Sequence, residues 1–298
     1  MLRTLLFSLT NISIVFMLGV ILTITGIKSQ SLYGILIYAL IFGFFSSIIS
    51  LFISKWVAMH SVNAQIIQPQ RSAIEEWLLE TVRKQSKKAK INLPEIAIYS
   101  SLDMNAFATG ATKNSSLIAV STGLIKNMSK NEIEAVLAHE ISHISNGDMV
   151  TMTMLQGVIN TFVIFVSKLI AQFVSKIFSS NNNEEENNFF SIDHIHNFIY
   201  SILSMILELT LGLIASMIIL WFSRKREFCA DKDAIYLSSK DNMIAALEKL
   251  KKSHEIEISS AMSAFCINNK QNNNFFSSKL FMSHPSLSER IQALKELL

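Results

Sequence analysis

The 298-residue sequence has few charged side chains, since Asp, Glu, Lys and Arg make up only 16% of it. An ordinary soluble domain carries about 25% of these residues. Half of the residues are hydrophobic and the mean hydropathy is +0.37, which argues against a disordered chain and against a water-soluble single domain. The net charge of +3 is too small to indicate a nucleic-acid partner.

Cysteine, proline and glycine are also scarce. The two cysteines, Cys229 and Cys266, lie far apart and form no CxxC pair. This argues against a disulfide framework and a thiolate zinc cluster, and it fits a reducing compartment. Three prolines and nine glycines exclude a collagen-like or linker-dominated chain.

Two uncharged runs near the N-terminus, residues 5–27 and 31–54, are long enough to cross a bilayer, whose hydrocarbon core takes about 20 helical residues. They predict a transmembrane hairpin within residues 1–55. A cleaved signal peptide is the alternative for the first run. That run exceeds the roughly 7–15 apolar residues of such peptides, however, and no A-x-A site follows it.

Two further apolar segments, residues 149–177 and 197–222, are predicted to cross the membrane as well. Each contains an ionisable residue, Lys168 or Glu208. We expect both to face other helices, water or the interface, because a charge in lipid costs a few kcal/mol. A re-entrant or surface-lying hairpin is the alternative, and the acidic, Asn-rich residues 179–193 predict a solvated loop between the segments.

Basic residues flank these segments asymmetrically, and such residues concentrate on the cytoplasmic side of a membrane. They are Arg3, Lys55, Arg71, Arg224, Lys225 and Arg226. The loop 179–193 contains no basic residue. Lys28, between the first two apolar runs, is weak evidence for the opposite orientation. We therefore expect both termini in the cytoplasm, together with two soluble pieces, residues 56–148 and 223–298, that are separated by the apolar residues 149–222.

The first soluble piece begins with a charged, amphipathic segment, residues 71–90, which is typical of a packed surface helix. Three short runs with the composition of strands follow it. They are EIAIYS from Glu95, MNAFATG from Met104 and SSLIAVSTG from Ser115. We predict that they form a small antiparallel sheet.

The next segment, SKNEIEAVLAHEISHISNGD, has a capping box, apolar residues at helical spacing and a glycine stop, which predict a helix. The H-E-x-x-H pattern places His139 and His143 one turn apart on one face, where both imidazoles can reach one metal ion. Glu140 lies beside that line and can act as general base on a water whose pKa zinc lowers to about 7. Because the pattern fixes only three positions, two ordinary surface histidines are the alternative.

A catalytic zinc needs a third protein ligand, either His or a carboxylate, and one open position. The candidates are Asp193, His194, His196, Glu227, Asp231, His254 and His284. The predicted topology places His194 and His196 on the far side of the membrane. Glu227 opens a helix directly after the fourth apolar segment, and Asp231 lies one turn on, so they can supply a ligand and an acceptor for a histidine Nδ1–H. Acidic residues that merely stabilise a helix N-terminus are the alternative.

Four motifs in combination resemble a known family. They are NAFATG, HEISHISNGD after SKNEIEAVLA, SRKREFCADKDA after an apolar span, and SHPSLSERI near the C-terminus. Over its full length the chain is similar to the HtpX family of bacterial membrane-bound zinc endopeptidases, which is related to the CAAX prenyl proteases of the gluzincin group. The resemblance implies an α-helical multi-pass membrane protein with a cytoplasmic α+β gluzincin-type protease domain.

Carried over by position, the resemblance implies that His139, His143 and Glu227 bind one Zn²⁺ per subunit. Glu140 would be the catalytic base and Asp231 the carboxylate behind a zinc-bound histidine. We interpret Cys229 as a packing residue.

The family also implies location in the bacterial inner membrane, with the site facing the cytoplasm, and cleavage of misfolded or damaged membrane proteins or other unfolded polypeptides. A zinc-stabilised scaffold or holdase without proteolysis is one alternative. A transporter that uses Lys168 and Glu208 is another. A homo-oligomeric state and an adaptor stay open.

Two other segments are candidates for substrate contact. Asn105 and Ala106 of NAFATG can bind an extended substrate by β-augmentation if their strand is an edge, whereas a plain sheet strand is the alternative. His284 and Arg290 of HPSLSER can donate hydrogen bonds to a carbonyl oxyanion. The alternative for them is a helix entry with Pro285 in the first turn and Arg290 at the surface.

Overall fold

The computed structural model of the chain describes residues 31–68, 72–180, 192–265, 282 and 284–297. The first predicted span, residues 5–27, lies outside this set, as do Cys266 and most of the loop 179–193. The helices of the described residues are α1 (Leu32–Ser61), α2 (Ala73–Lys88), α3 (Thr122–Asn127), α4 (Lys130–Asn146), α5 (Asp148–Ser180), α6 (Ile192–Leu237), α7 (Lys240–Phe265) and α8 (Leu287–Glu296). The strands are β1 (Gln65–Ile66), β2 (Glu95–Tyr99), β3 (Ala106–Thr112) and β4 (Ser115–Ser121).

The chain divides into two compact units. The first comprises Met1–Ser50 and Met152–Ile219, and the second comprises Leu51–Thr151 and Leu220–Leu298. Among the described residues, α1, α5 and α6 are long and apolar enough to cross a membrane. Large apolar side chains such as Phe45, Phe162 and Leu209 are exposed on the first unit, as expected for helices that face lipid.

The fourth apolar segment continues without a break into the second unit as the 46-residue helix α6. The prediction that Glu227 opens a new helix is therefore wrong. A helix interior has no unpaired N–H groups and no N-terminal dipole charge. Stabilisation of a helix start consequently does not explain the acidic residues at 227 and 231.

Helices α1 and α5 of the first unit approach each other closely at Gly43, in a π-helical section of α1, Leu40–Phe45. A Cβ atom at Gly43 would overlap the backbone of Thr161. Close approach through small residues is the usual way in which helices pack in a membrane, where lipid is as apolar as the helices themselves.

Gly43→Ala is expected to lower the free energy of unfolding by about 1–3 kcal/mol, because backbone atoms rather than a flexible side chain must move. Thermal melting of the detergent-purified protein measures this change. Gly212→Ala is the matched control, since among the described residues no atom apart from its chain neighbours and its own helix backbone lies within 4 Å of a Cβ added there. Equal melting temperatures for wild type and Gly43→Ala would contradict the close packing of α1 and α5.

The two ionisable residues of the apolar segments lie together. Lys168 Nζ is 3.5 Å from Glu208 Oε1 and 4.4 Å from the ring centroid of Tyr38. Only 13% of the Lys168 side chain is exposed, so the prediction that Lys168 faces other helices is confirmed. A lysine that is paired with a carboxylate and an aromatic face costs less to hold in a membrane than a lone charge.

The sheet of the second unit is mixed, so the prediction of an antiparallel sheet is wrong at one strand pair. Within the described residues the order is β1–β2–β4–β3, with β2 and β4 parallel and the other neighbours antiparallel. Every residue of β4 except Ser115 is buried. β4 therefore occupies a central position between β2 and β3, where both neighbours pair with its backbone.

Helices cover the sheet and form the main core of the second unit. Helix α4 packs against β3 and β4, α2 and α7 pack against α4, and α8 packs against α7. The core residues that α4 supplies are Ile133, Ala135, Val136, Leu137, Ala138, Ile141 and Ile144. The predicted surface helix at residues 71–90 is confirmed as α2, which starts with a capping box formed by Ser72 and Glu75.

Candidate metal centre

Helix α4 carries the HEISH motif and is held at both ends. The backbone N–H of Ser129 donates to Glu132 Oε2 over 2.6 Å at its start. Gly147 ends it in the left-handed conformation, with φ of +69°, which a residue with a Cβ adopts only at a cost of about 1–2 kcal/mol. Since α4 is buried along most of its length, the backbone positions of His139 and His143 are set by the core.

Three side chains converge on one point. The Nε2 atoms of His139 and His143 are 3.1 Å apart. Glu227, from the distant helix α6, places Oε2 3.5 Å from His139 Nε2 and Oε1 3.5 Å from His143 Nε2. The structure thus brings together the three residues for which the resemblance implies metal binding.

The outer nitrogen of each imidazole faces a carboxylate. His139 Nδ1 is 2.9 Å from Asp231 Oδ1, and His143 Nδ1 is 2.7 Å from Asp148 Oδ2. A histidine that donates Nδ1–H to a carboxylate presents the lone pair of Nε2 on its other side. Two Nε2 atoms that are 3.1 Å apart need either a proton or a metal ion between them.

The spacing of these atoms fits a small metal ion. Tetrahedral ligands at about 2.0–2.1 Å from zinc lie about 3.3 Å from one another, close to the observed 3.1–3.5 Å. Glu227 is 5% exposed, and its buried Oε2 makes no well-aligned hydrogen bond among the described residues, although Arg290 Nη1 lies 3.2 Å away. A buried carboxylate oxygen without a donor is costly unless a cation binds it. His139, His143 and Glu227 therefore fit a metal site.

The surrounding carboxylates also favour positive charge on the imidazoles. Burial lowers the pKa of His143, but hydrogen bonds with Asp148 and Glu227 outweigh this effect and raise the pKa to about 10. For His139, burial and the charge of Arg290 lower the pKa, whereas hydrogen bonds with Asp231 and Glu227 raise it above the ordinary value. A metal ion can take the place of these protons.

Metal binding is therefore expected to release at least one proton at pH 7. His143, with a pKa of about 10, is protonated below that pH, and only the neutral ring binds a metal. Affinity should consequently rise with pH up to about 10, by about tenfold per unit for each proton displaced. Calorimetric titration of the chelator-treated protein in buffers of different ionisation enthalpy measures the release, and a binding enthalpy that is independent of the buffer would contradict it.

The predicted catalytic residue, Glu140, lies on α4 next to His139 and is half-buried. Its carboxylate is one of the charges that raise the pKa of His143 and of Arg290. Glu140 is therefore close enough to His143 and Arg290 for its charge to act on them, and it does not belong to the three converging ligands.

Residues of the HPSLSER motif also reach the centre. Arg290 is 7% exposed, so the alternative that places it at the surface is wrong. Its Nε donates to Asp231 Oδ2 over 2.7 Å, and its Nη1 lies 3.2 Å from Glu227 Oε2. His284 Nδ1 is 3.0 Å from Glu227 Oε1, while 64% of the His284 side chain is exposed.

In the sheet that the described residues form, the strand with the NAFATG motif lies at an edge, because β3 ends the strand order. Ser121 N–H donates to the Asn105 carbonyl over 2.9 Å, and Ala106 is opposite Val120 in the register. Since hydrogen-bonded pairs alternate in an antiparallel ladder, the backbone groups of Ala106 and Ala108 point away from β4. The strand packs beside α4, so these groups lie next to the helix that carries the HEISH motif.

Sequence reasoning missed two residues of the centre, Asp148 and Arg226. Asp148 Oδ1 accepts a hydrogen bond from Arg226 Nε over 2.6 Å while its other oxygen contacts His143. A signal for Asp148 was available, because it directly follows the helix-ending Gly147 and lies only five residues after His143.

The structure does not describe the side chains of four other candidate ligands, and one further sequence interpretation is wrong. The side chains of Asp193, His194, His196 and His254 lie outside the described residues. Cys229 is exposed, so its interpretation as a packing residue is wrong. It lies on the outer side of a turn of α6 whose inner side carries the buried Glu227 and Ala230.

Comparison with known proteins gives consistent matches. The profile of peptidase family M48 matches residues 72–298. The protease HtpX of Wigglesworthia glossinidia brevipalpis is 54% identical over 294 residues, which are 99% of this chain and 97% of that protein. The protease HtpX of Buchnera aphidicola subsp. Baizongia pistaciae is 55% identical over 294 residues, which are 99% of this chain and 98% of that protein.

Among solved structures, the crystal structure of S. mikatae Ste24p is similar, with a TM-score of 0.60 and 23% sequence identity. The match covers 87% of this chain and 58% of the Ste24p chain. At this identity the likeness shows a shared fold. From the family profile and from relatives of more than 50% identity over nearly its whole length, the chain belongs to peptidase family M48, in the HtpX group of membrane metalloproteases.

Proposed function

We propose that this membrane protease hydrolyses peptide bonds with a single Zn²⁺ that is held by His139, His143 and Glu227. The observation that carries the proposal is the triangle of ligand atoms 3.1–3.5 Å apart, with a buried carboxylate oxygen that makes no well-aligned hydrogen bond at one corner. Two histidines and one glutamate leave a fourth position open, which is typical of catalytic rather than structural zinc sites. The zinc-stabilised scaffold or holdase is therefore the less favoured alternative.

When bound, zinc supplies a Lewis acid that makes water nucleophilic at neutral pH. Glu140 is proposed to take the proton of the attacking water and to deliver it to the leaving amine, since it lies at the centre without being a ligand. His284, which is largely exposed, is the proposed donor toward the carbonyl oxygen. Three nitrogens of Arg290 lie close to Asp231 and Glu227, so we propose that Arg290 mainly holds these two carboxylates.

The proposed substrate is an extended polypeptide, as in an unfolded chain or a damaged membrane protein. The open edge of β3 supports this, because the outward backbone groups of Ala106 and Ala108 can pair with a substrate strand, and Asn105 stands at its start. Main-chain pairing depends little on side chains, so it suits a protease that acts on many unfolded sequences.

We further propose that residues 1–55 and 149–222 are the membrane part and that residues 56–148 and 223–298 form the protease domain. The division into two compact units supports these limits. The exposed Trp56 and Trp221 are of the type that anchors a helix at the membrane surface. The basic flanks support a cytoplasmic protease domain in a bacterial inner membrane.

Removal and return of the metal test this function. Detergent-purified protein is expected to cleave an unfolded membrane-protein substrate, to lose all cleavage after chelation, and to regain it with one equivalent of Zn²⁺ but not with Mg²⁺, which prefers oxygen ligands. Stoichiometric zinc without cleavage of any unfolded substrate would favour the scaffold. Full activity after complete chelation would refute the metal mechanism.

A further inference from the structure

One carboxylate connects a histidine ligand to the helix that carries the third ligand. Asp148 contacts His143 Nδ1 with Oδ2 over 2.7 Å and accepts from Arg226 Nε with Oδ1 over 2.6 Å. Its side chain is only 7% exposed, so both contacts are shielded from water. Neither a peptidase mechanism nor the HEISH motif requires this aspartate or this arginine.

The other histidine, His139, has the same arrangement of an aspartate and an arginine behind its ring. His139 Nδ1 lies 2.9 Å from Asp231 Oδ1, and Asp231 Oδ2 accepts from Arg290 Nε over 2.7 Å. In both cases the histidine contacts one carboxylate oxygen and the arginine uses Nε on the other. The centre therefore has two matching chains of contacts, each of which runs from a histidine through an aspartate to an arginine. The sequence indicated only the histidine and the aspartate of one of them.

The position of Asp148 links three elements. It is the first residue of α5, directly after the turn at Gly147 that ends α4. Arg226 lies on α6 and immediately precedes Glu227. The ion pair between Asp148 and Arg226 consequently ties the turn of α6 that supplies the third ligand to the end of the helix that supplies the other two.

The two arginines also balance charge. One divalent cation neutralises only part of the charge of the four carboxylates in the centre, which are Glu140, Asp148, Glu227 and Asp231. Arg226 and Arg290 neutralise the remainder. Without Arg226, Asp148 would keep its contact with His143 but lose its tie to α6.

We propose that Asp148 and Arg226 are positioning residues of the metal centre, an inference that rests on the proposed function in which the centre holds a metal. Asp148 orients the ring of His143 with Nε2 toward the ion. Arg226 holds Asp148 next to the turn of α6 that carries Glu227. Removing the carboxylate behind a metal-bound histidine typically costs 10–100-fold in affinity.

A purely structural role is the competing explanation, since an acidic residue stabilises the first turn of a helix. Asp148→Asn separates the two roles. Asparagine keeps the size and caps a helix start well, but it loses the charge and cannot both accept from His143 and pair with Arg226. A helix-start role alone would therefore leave metal binding unchanged in this variant.

The experiment loads chelator-stripped, detergent-purified protein with Co²⁺ and records its visible absorption and its rate of metal release to excess chelator. Asp148→Asn is expected to release Co²⁺ about 10–100-fold faster with an altered spectrum, and Arg226→Gln up to about tenfold faster. Arg226→Lys should recover part of the loss, because it restores the charge but not the Nε geometry. Lys225→Gln is the matched control, as it removes the same charge from the neighbouring exposed residue and should behave as wild type.

The double variant Asp148→Asn with Arg226→Gln provides a second test. If the pair acts as a unit, it should release Co²⁺ no faster than Asp148→Asn alone. Wild-type release and spectrum in both single variants would overturn the inference while leaving the proposed function intact. A wild-type protein that takes up no Co²⁺ would refute the proposed function itself, and the positioning role with it. If Asp148→Asn does not fold, the Co²⁺ release rates of Arg226→Gln and Arg226→Lys decide whether the pair positions the metal centre.

Discussion

Glu140→Gln is expected to abolish peptide cleavage while the protein keeps its metal. The amide has nearly the shape of the carboxylate but cannot accept a proton from water, and a general acid–base group typically contributes about 10²–10⁴-fold in rate. Glu140 lies outside the group of three converging ligand atoms, so its replacement should leave metal content and melting temperature close to wild type. Cleavage of an unfolded membrane protein and metal analysis on the same preparations measure both effects.

Glu134→Gln is the matched control for this experiment. It makes the same chemical change on the same helix, where the Glu134 backbone carbonyl already accepts from Gln85 and no role in catalysis is expected for its side chain. It should cleave at the wild-type rate. Cleavage by Glu140→Gln at that rate would show that Glu140 is not the base. Loss of the metal from Glu140→Gln would instead show that its carboxylate helps to bind the ion.

Glu227→Ala is expected to lose both activity and metal. The substitution removes one of three protein ligands, so affinity should fall by more than the roughly 10–100-fold that residues behind the ligands contribute. It also removes the partner of Arg290 Nη1 and of His284. At a given zinc concentration the free energy of stabilisation grows with the logarithm of the affinity for the folded state, so added Zn²⁺ should raise the melting temperature of wild type more than that of Glu227→Ala.

Asp233→Ala on the same helix separates ligand loss from general damage to α6. Asp233 accepts from Asn146 Nδ2 over 2.7 Å, so its replacement costs a hydrogen bond between α6 and α4 but no ligand. This variant should bind zinc normally even if it melts earlier. Wild-type zinc affinity in Glu227→Ala would mean that another side chain, such as His284, is the third ligand.

The fold was predictable where the signal is local and repetitive. Apolar runs of bilayer length predicted the membrane spans, and the capping box of Ser129 with Glu132 predicted the start of α4. Both signals depend only on residues that are neighbours in the sequence. The sheet order was not predictable. Three strand-like runs specify strands, but the central place of β4 depends on which strand is buried by the helices above it.

The predicted break before Glu227 failed for a related reason. The change from apolar to charged residues at Ser223 resembles the start of a new helix, and composition alone does not distinguish it from one helix that leaves an apolar environment. The residues SRKREF are all compatible with a helix interior, and the charged face of α6 finds partners such as Asp148 for Arg226. The helix therefore continues.

By itself the sequence determined the pair of histidines and the glutamate beside them, since a spacing of four residues on a helix sets their mutual position within about one turn. It also determined that much of the chain must lie in a membrane. Tertiary structure alone decided that Glu227, among the candidates whose side chains are described, meets that pair, that Arg290 is buried beside Asp231, and that Asp148 and Arg226 complete the second chain of contacts. Arg226 and Glu227 lie some eighty residues along the chain from α4. No local rule relates such separations, and only the tertiary fold brings Glu227 and Asp231 of α6 and Arg290 of α8 to the histidines of α4.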